Sequence, residues 1–309
     1  MNWLTLVAIT IIFDSIRIYI DNYISDVFFK GHSAVSQKLF YGYAWVIISV
    51  IVLAITGFNP FNTDHSIVGL VLLSGILTSF ASIPYYKSLE IEDSTSLGIF
   101  FQLSSILYLI FGWLFFGETI TGIQLLAFLI ILAAPILIVT TARKKSRKIK
   151  LQAMFFAFLY VLIAVIANLI FVHAGPEDFN FVHKIAIMFL SSGITSLVLV
   201  YTKPAWRRRF QVVFKKRKKK LLFPLVINAI FSIIKSSTYR AALMLAPTAA
   251  IASAASDSAE PIVIFFMGLV LTLIWPKFGR EKLNKKSVLV HLVATILVVA
   301  GVALLQFQI

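Results

Sequence analysis

Apolar residues in this chain run in long stretches rather than in alternation. Leu125–Thr140 and Val288–Leu305 contain almost no polar side chain. Membrane-crossing strands would need short segments that alternate, so these runs predict helices. Ten stretches follow one another, at about 3–24, 37–56, 66–86, 94–116, 121–141, 151–172, 182–201, 221–240, 248–275 and 288–308, with ends uncertain by a few residues. Each is close to the roughly 20 residues that a helix needs to cross hydrocarbon. The pattern predicts an all-α integral membrane protein with ten transmembrane helices.

Composition agrees. Of 309 residues, 60% are hydrophobic and 13% are charged. Water-soluble domains carry about a quarter charged residues. No connection is long enough to fold as a separate soluble domain. Cysteine is absent, which excludes disulfides and thiolate metal sites. The opening Met1-Asn2-Trp3-Leu4 has no basic residue, and Asp14 and Arg17 interrupt the first apolar run. A retained span is predicted there rather than a cleaved signal peptide.

The charges sort by connection. The fifth, Arg143–Lys150, holds six basic residues, the seventh, Lys203–Lys220, holds ten, and the ninth, Lys277–Lys286, holds five. Lys30 and Lys38 add to the first. The even connections Phe58–His65 and Gly117–Thr121 have no Lys or Arg, and His173–Phe181 carries Glu177 and Asp178. Basic loops stay in the cytoplasm, so this asymmetry places both termini outside. It also accounts for the net charge of +15 without nucleic acid as a partner. The KKRKKK run at 215–220 has a second reading, as a binding site for anionic lipid.

The two halves resemble each other in order. Gln37-Lys38 lines up with His183-Lys184, and Tyr86-Lys87-Ser88 with Tyr239-Arg240-Ala241. Gly112 lines up with Gly268, and Phe116-Gly117-Glu118 with Phe278-Gly279-Arg280-Glu281. The chain thus reads as a five-helix repeat over 1–142, a basic linker at 143–150 and a second repeat over 151–309. Five is odd, so the second repeat must enter the membrane inverted. Inverted repeats place a substrate site near the midplane and allow alternating access.

The segment 85–137, YYKSLEIEDSTSLGIFFQLSSILYLIFGWLFFGETITGIQLLAFLIILAAPIL, resembles an EamA-type repeat of the drug/metabolite transporter superfamily. The signature is a Tyr-and-small-residue end to one span, a following span, and Gly117-Glu118 opening the next. A more divergent copy runs from Tyr239 to Leu305. The resemblance implies ten helices in two inverted repeats and export or uptake of small metabolites. Two features depart from the family: Asp14, Arg17 and Asp21 in the first span, and termini that the charges place outside.

Charges inside the spans point to the chemistry. Asp14, Arg17 and Asp21 are spaced by three and four and share a helix face. Asn228, Ser232, Lys235 and Tyr239 form a second stripe, and Ser253, Asp257 and Glu260 a third. Each central charge costs about 2.5–3.5 kcal/mol to insert, so these faces should meet one another rather than lipid. Estimated depths pair Lys235 with Asp257 and Arg17 with Glu260, with an Asp14–Arg17 pair inside one helix as the competitor. Asp21, near the cytoplasmic surface, reads as the wet member. Asp14, Asp257 and Glu260 against Arg17 and Lys235 leave an excess carboxylate, which can hold a proton or a substrate amine.

In the first half, Gly75, Ser79, Ser82 and Tyr86 form the equivalent stripe. Small residues at that spacing suit close packing. Gln102 is a candidate cavity residue, because an amide among apolar helices needs a partner. Tyr85 and Tyr86 read as interfacial anchors or as gate residues. Pro84 and Pro247 fall at span ends, and Pro261 falls inside the ninth span, a candidate moving helix or a static kink.

The substrate-binding candidates are therefore Asp14, Arg17, Gln102, Asn228, Lys235, Tyr239, Ser253, Asp257 and Glu260. Together they predict a secondary transporter for a small polar metabolite, an amino acid or similar zwitterion, with a proton as a candidate coupling ion. The rival readings are helix locking by the same charges, an intramembrane lipid-handling protein or enzyme, and a non-transporting receptor. No nucleotide-cradling glycine motif or HExxH occurs, and the histidines at 32, 65, 173, 183 and 291 are scattered. No cofactor and no enzymatic activity are expected. The expected setting is a bacterial inner membrane, as a monomer or homodimer.

Overall fold

A computed structural model describes residues 2–28, 38–59, 63–92, 100–101, 103–142, 150–175, 179–274 and 285–306. The helices are α1 (Trp3–Phe28), α2 (Lys38–Ile55), α3 (His65–Ile91), α4 (Leu103–Phe116), α5 (Gly122–Ala142), α6 (Leu151–His173), α7 (Phe181–Thr202), α8 (Pro204–Leu245), α9 (Ala249–Ile274) and α10 (Lys285–Gln306). Among the described residues there is no strand. Among the described residues, eight helices are long and apolar enough to cross a membrane; α4 and the Gly122–Ile138 part of α5 are shorter apolar segments. Large apolar side chains stand on the outside, such as Ile55, Trp113, Phe115, Phe223 and Ile296. A surface of that kind needs lipid around it. The chain is an all-α, multi-pass membrane protein.

The helix ends follow local chemistry. Asn180 caps α7, its side chain accepting from the Val182 and His183 amides. Lys203 alone separates α7 from α8. Pro204 cannot extend α7 but fits the first turn of α8, which it opens. From there α8 runs helical through the basic stretch, so the expected connection Lys203–Lys220 is corrected to a helix. Its Lys and Arg residues are good helix formers, and no Gly occurs between 205 and 245. Pro84, expected at a span end, lies inside α3. Pro261 lies inside α9, as expected.

Lys30, Gln37, Gln102, Arg143–Arg147, Glu177, Asp178 and Phe278-Gly279-Arg280-Glu281 lie outside the described residues.

The chain forms two compact units. One comprises Met1–Ile16, Ile91–Phe158 and Ile234–Ile309; the other comprises Arg17–Glu90 and Leu159–Ile233. Each sequence half contributes to both.

In the first unit, α5, α9 and α10 share a core of Ala134, Ile138, Ile262, Ala294 and Val298. Gly301 lets α10 approach α5: a Cβ there would stand 2.5 Å from Ile131 and 3.0 Å from the Ala127 carbonyl. The Phe116-Gly117-Glu118 signature also acquires a reason here. Gly117 adopts φ 66°, which ends α4 and lets the Glu118 amide bond back to the Gly112 carbonyl at 3.0 Å. Glu118 Oε2 then accepts from the Ala249 amide at 3.2 Å, placing a carboxylate at the start of α9.

In the second unit, α2 and α7 cross closely through Gly42 and Gly193. A Cβ on Gly193 would stand 2.9 Å from the Gly42 carbonyl. Gly75 approaches α7 just as closely, against Ser191 and Met188, so the small-residue stripe of α3 serves packing. A second core joins Ile24, Phe28, Leu39, Tyr41, Val200, Phe210, Val213, Leu221 and Leu225.

Candidate functional site

Each unit carries its own polar centre. In the first unit α1 and α8 run antiparallel, shown by Thr10 Oγ1 lying 2.8 Å from Thr238 Oγ1 and by Lys235 Nζ lying 2.8 Å from Asp14 Oδ2. Asp14 is almost wholly buried, at 4% exposure, so the ammonium answers a desolvated carboxylate. Lys235 also lies over the Tyr239 ring, 5.7 Å from its centroid. The Tyr239 hydroxyl hydrogen-bonds with Ser253 and with buried Tyr108. On α9, Asp257 Oδ2 accepts from Ser104 Oγ at 2.6 Å and from Ser253 Oγ at 2.9 Å. Ser253 also meets Ser105 Oγ at 3.1 Å. Asp14 and Lys235 both act electrostatically on Asp257.

Lys235 acts electrostatically on Asp257, the partner expected for it, and forms its ion pair with Asp14. The cause is a helix end. With α8 reaching Leu245, Lys235 lies ten residues before its end, or about 15 Å at 1.5 Å per residue. Asp14 lies eleven residues into antiparallel α1, or about 16 Å. The two charges therefore stand at one level, a match that an α8 ending near residue 240 conceals.

In the second unit the centre is built on Asp21. Arg17 Nη1 donates to Asp21 Oδ2 at 2.6 Å, one helical turn away. Asn228 Nδ2 donates to Asp21 Oδ1 at 2.6 Å and also reaches Tyr41 Oη. Because a carboxylate only accepts, this contact fixes which amide atom is nitrogen. Asn228 Oδ1 is then buried, with no hydrogen-bond partner among the described residues. Tyr86 feels both Asp21 and Arg17. Tyr85 stacks at a tilt on Tyr160, with centroids 4.9 Å apart.

Within α1, Arg17 pairs with Asp21. Arg17 and Asn228 belong to the second unit, whereas Glu260, the expected partner of Arg17, lies on α9 in the first.

Sequence reasoning missed several residues. Asp21, read as a wet end, is a hub with three partners. Tyr41 and Ser104 carried no charge signal, although Ser104 directly precedes Ser105 on the expected cavity helix. Lys38, read as a residue of a wet connection, opens α2 and is 3% exposed. Its ammonium donates to the Ser79 carbonyl at 2.6 Å and to Ser79 Oγ at 3.3 Å. Ser79 continues to Ser196 Oγ at 2.7 Å. Lys184, its counterpart in the sequence repeat, is equally buried. It donates to the Val172 carbonyl at 3.2 Å and sits over the Phe171 ring. A repeat match at two lysines was the available signal.

Comparison with known proteins agrees with this architecture. No curated protein matches the chain. Among solved structures, 27 chains match. One of them, a crystal structure described only as that of a protein, superposes with a TM-score of 0.64 at 13% identity, covering 99% of each chain. At that identity the likeness shows the fold alone. Residues 25–140 match the model of the EamA-like transporter family. That stretch contains the Gly117-Glu118 turn and the close-packed α2 and α3, and over it the chain is similar to the EamA-like transporter family.

Proposed function

We propose that the chain is a secondary carrier for a small polar metabolite that bears both charges, an amino acid or a similar zwitterion. The observation that carries this reading is the first-unit centre: one ammonium, Lys235, bonded to Asp14 and within electrostatic range of Asp257. Charges buried among apolar helices are costly unless they are matched. A zwitterion is matched there at both ends. Its carboxylate takes Lys235, and its ammonium replaces Lys235 at a carboxylate. Partners are exchanged and no charge is stranded, so the barrier to binding and release stays low. Tyr239, Ser104 and Ser253 supply neutral hydrogen bonds that hold either arrangement. In the second unit, the buried Asn228 Oδ1 offers an acceptor for a substrate N–H.

The carrier works by alternating access of two inverted five-helix repeats, 1–142 and 151–309, joined by the basic linker 143–150. The coupling ion is a proton held at Asp257 or Glu260, and the setting is a bacterial inner membrane. The opposite-end placement of the repeat-matched lysines supports the inversion. Antiparallel α2 and α7 begin at Lys38 and near Lys184, so the two buried ammonium groups lie at opposite ends of that helix pair.

The test is a thermal-shift screen of the purified protein against amino acids and related zwitterions. A true substrate at one hundred times its dissociation constant stabilises the fold by about 2.7 kcal/mol. Hits are then followed as uptake into reconstituted vesicles. Lys235→Gln should abolish uptake, and Glu260→Gln should flatten its pH dependence. A panel without any shift, or hits that bear only one charge, would overturn the zwitterion reading. Unchanged pH dependence in both Asp257→Asn and Glu260→Gln would remove the proton from the mechanism.

A further inference from the structure

The basic stretch before the eighth span is a shaped surface, not a loose connection. Residues 204–219 precede the apolar part of α8, which begins at Lys220. As helix they extend it by about 24 Å. This arm is amphipathic. Phe210, Val213 and Leu221 are buried in the second-unit core, with Trp206 and Phe214 packed against it. Arg208 and Lys215, two turns apart, are exposed on the side away from that core. Arg207 lies over the Tyr201 ring at 5.7 Å, and Lys203 over the Trp206 ring at 5.2 Å. Nine basic residues thus fall on one helix that leads directly into a membrane span, with Lys203 just before it. Topology alone needs positive charge on that side. It does not need the charge fixed in helical register by a packed apolar face.

We infer that this arm binds the anionic head groups of the surrounding bilayer. Its exposed cations meet lipid phosphates at the membrane surface, and the aromatic side chains beside them sit at the head-group level. The packed face gives binding a consequence. Tyr41 belongs both to the core that holds the arm and to the Asp21–Asn228 centre, so lipid bound outside stabilises the second unit.

The test uses the full chain in phosphatidylcholine vesicles with and without about 30% phosphatidylglycerol, a content that makes the surface strongly anionic. Lipid affinity is read from quenching of Trp206 by brominated phosphatidylglycerol, with Trp206→Phe as the background. The paired variant Arg208→Gln/Lys215→Gln should weaken that affinity about 30-fold, from about 1 kcal/mol per basic residue at the surface. It keeps the other eight basic residues and hence the orientation. The wild type should melt higher in anionic vesicles, the variant should lose most of that gain, and salt should erase it. Three results would overturn the proposal: no difference between the two vesicles, an equal response in the paired variant, or the same stabilisation from inorganic phosphate or an RNA polyanion in neutral vesicles. A charge-conserving Arg208→Lys/Lys215→Arg variant separates charge from fold damage, because it should behave as wild type.

Discussion

The two polar centres solve the same problem differently. The first-unit centre joins four helices through side chains far apart in sequence: Asp14 on α1, Lys235 on α8, Asp257 on α9 and Ser104 on α4. The second-unit centre starts from a pair within one helix, Arg17 and Asp21, and adds Asn228 and Tyr41 by hydrogen bonds. A pair within one helix forms without bringing elements together, and its partners can also reach water. Arg17 and Asp21 retain 19% and 27% exposure, against 6% for the Asp14 side chain. The first centre therefore depends on tertiary packing for its charge balance, and the second depends on it much less.

That difference can be tested by removing one partner from each. Lys235→Met leaves Asp14 buried without its ammonium and should cost roughly 3 kcal/mol, the lower end for breaking a buried pair, since Lys235 itself is partly exposed. Adding Asp14→Leu should restore most of the loss. A double-mutant cycle on melting temperatures reads this, and additive losses would show that the pair is not a unit.

In the second centre, Asn228→Leu removes a hydrogen bond to a carboxylate and should cost about 2 kcal/mol. Arg17→Gln should cost about 1 kcal/mol, since the pair is only one turn apart and partly exposed. If Arg17→Gln proved as damaging as Lys235→Met, the contrast between the centres would fail.

Packing offers a comparison that involves no charge. Gly75→Leu would drive a side chain into Ser191 and Met188, and should destabilise by about 1–3 kcal/mol. Gly69→Leu, on the same helix but facing open space, should be nearly neutral. Equal effects would mean that the α3–α7 approach is not tight.

The smallest effect concerns pH. Asp64 stands before α3, and its Oδ1 accepts from the Ser66 amide at 2.8 Å, which holds its carboxyl below the ordinary aspartate value. A depressed folded value means stability that is complete above the ordinary value, about 3.9, and lost as pH falls through the lower folded one. Asp64→Asn preserves a capping oxygen and should remove only that acid-side slope. The readout is melting temperature against pH in the acid range, and an unchanged slope would exclude this cap as its source.

The helices were legible because apolar run length is a one-dimensional property. Most expected spans coincide with observed helices to within a few residues; the start of the expected span 94–116 lies outside the described residues, and two other differences have local causes. At Pro84 the sequence suggests an end, but the helix accepts the proline and continues to Ile91. At Pro204 the basic residues look like a loop, although nothing in them breaks a helix. The charged stripes were legible too, since spacing by three and four marks one face.

Partner choice was not legible in the same way. Lys235 faces Asp14 because antiparallel α1 and α8 bring those positions level, and the decisive quantity was the end of α8, five residues beyond the end expected at 240. Asp21 became a hub because Asn228 and Tyr41 arrived from other helices. Lys38 was hidden because a buried ammonium satisfied by the Ser79 carbonyl leaves no acidic partner to notice. The sequence by itself determined that this chain lives in lipid as helices and carries charges on particular faces, since both follow from residue order and the solvent. Which of those charges meet was decided by the tertiary structure alone, because a contact depends on the relative height of two helices, and height is set by where each begins and ends.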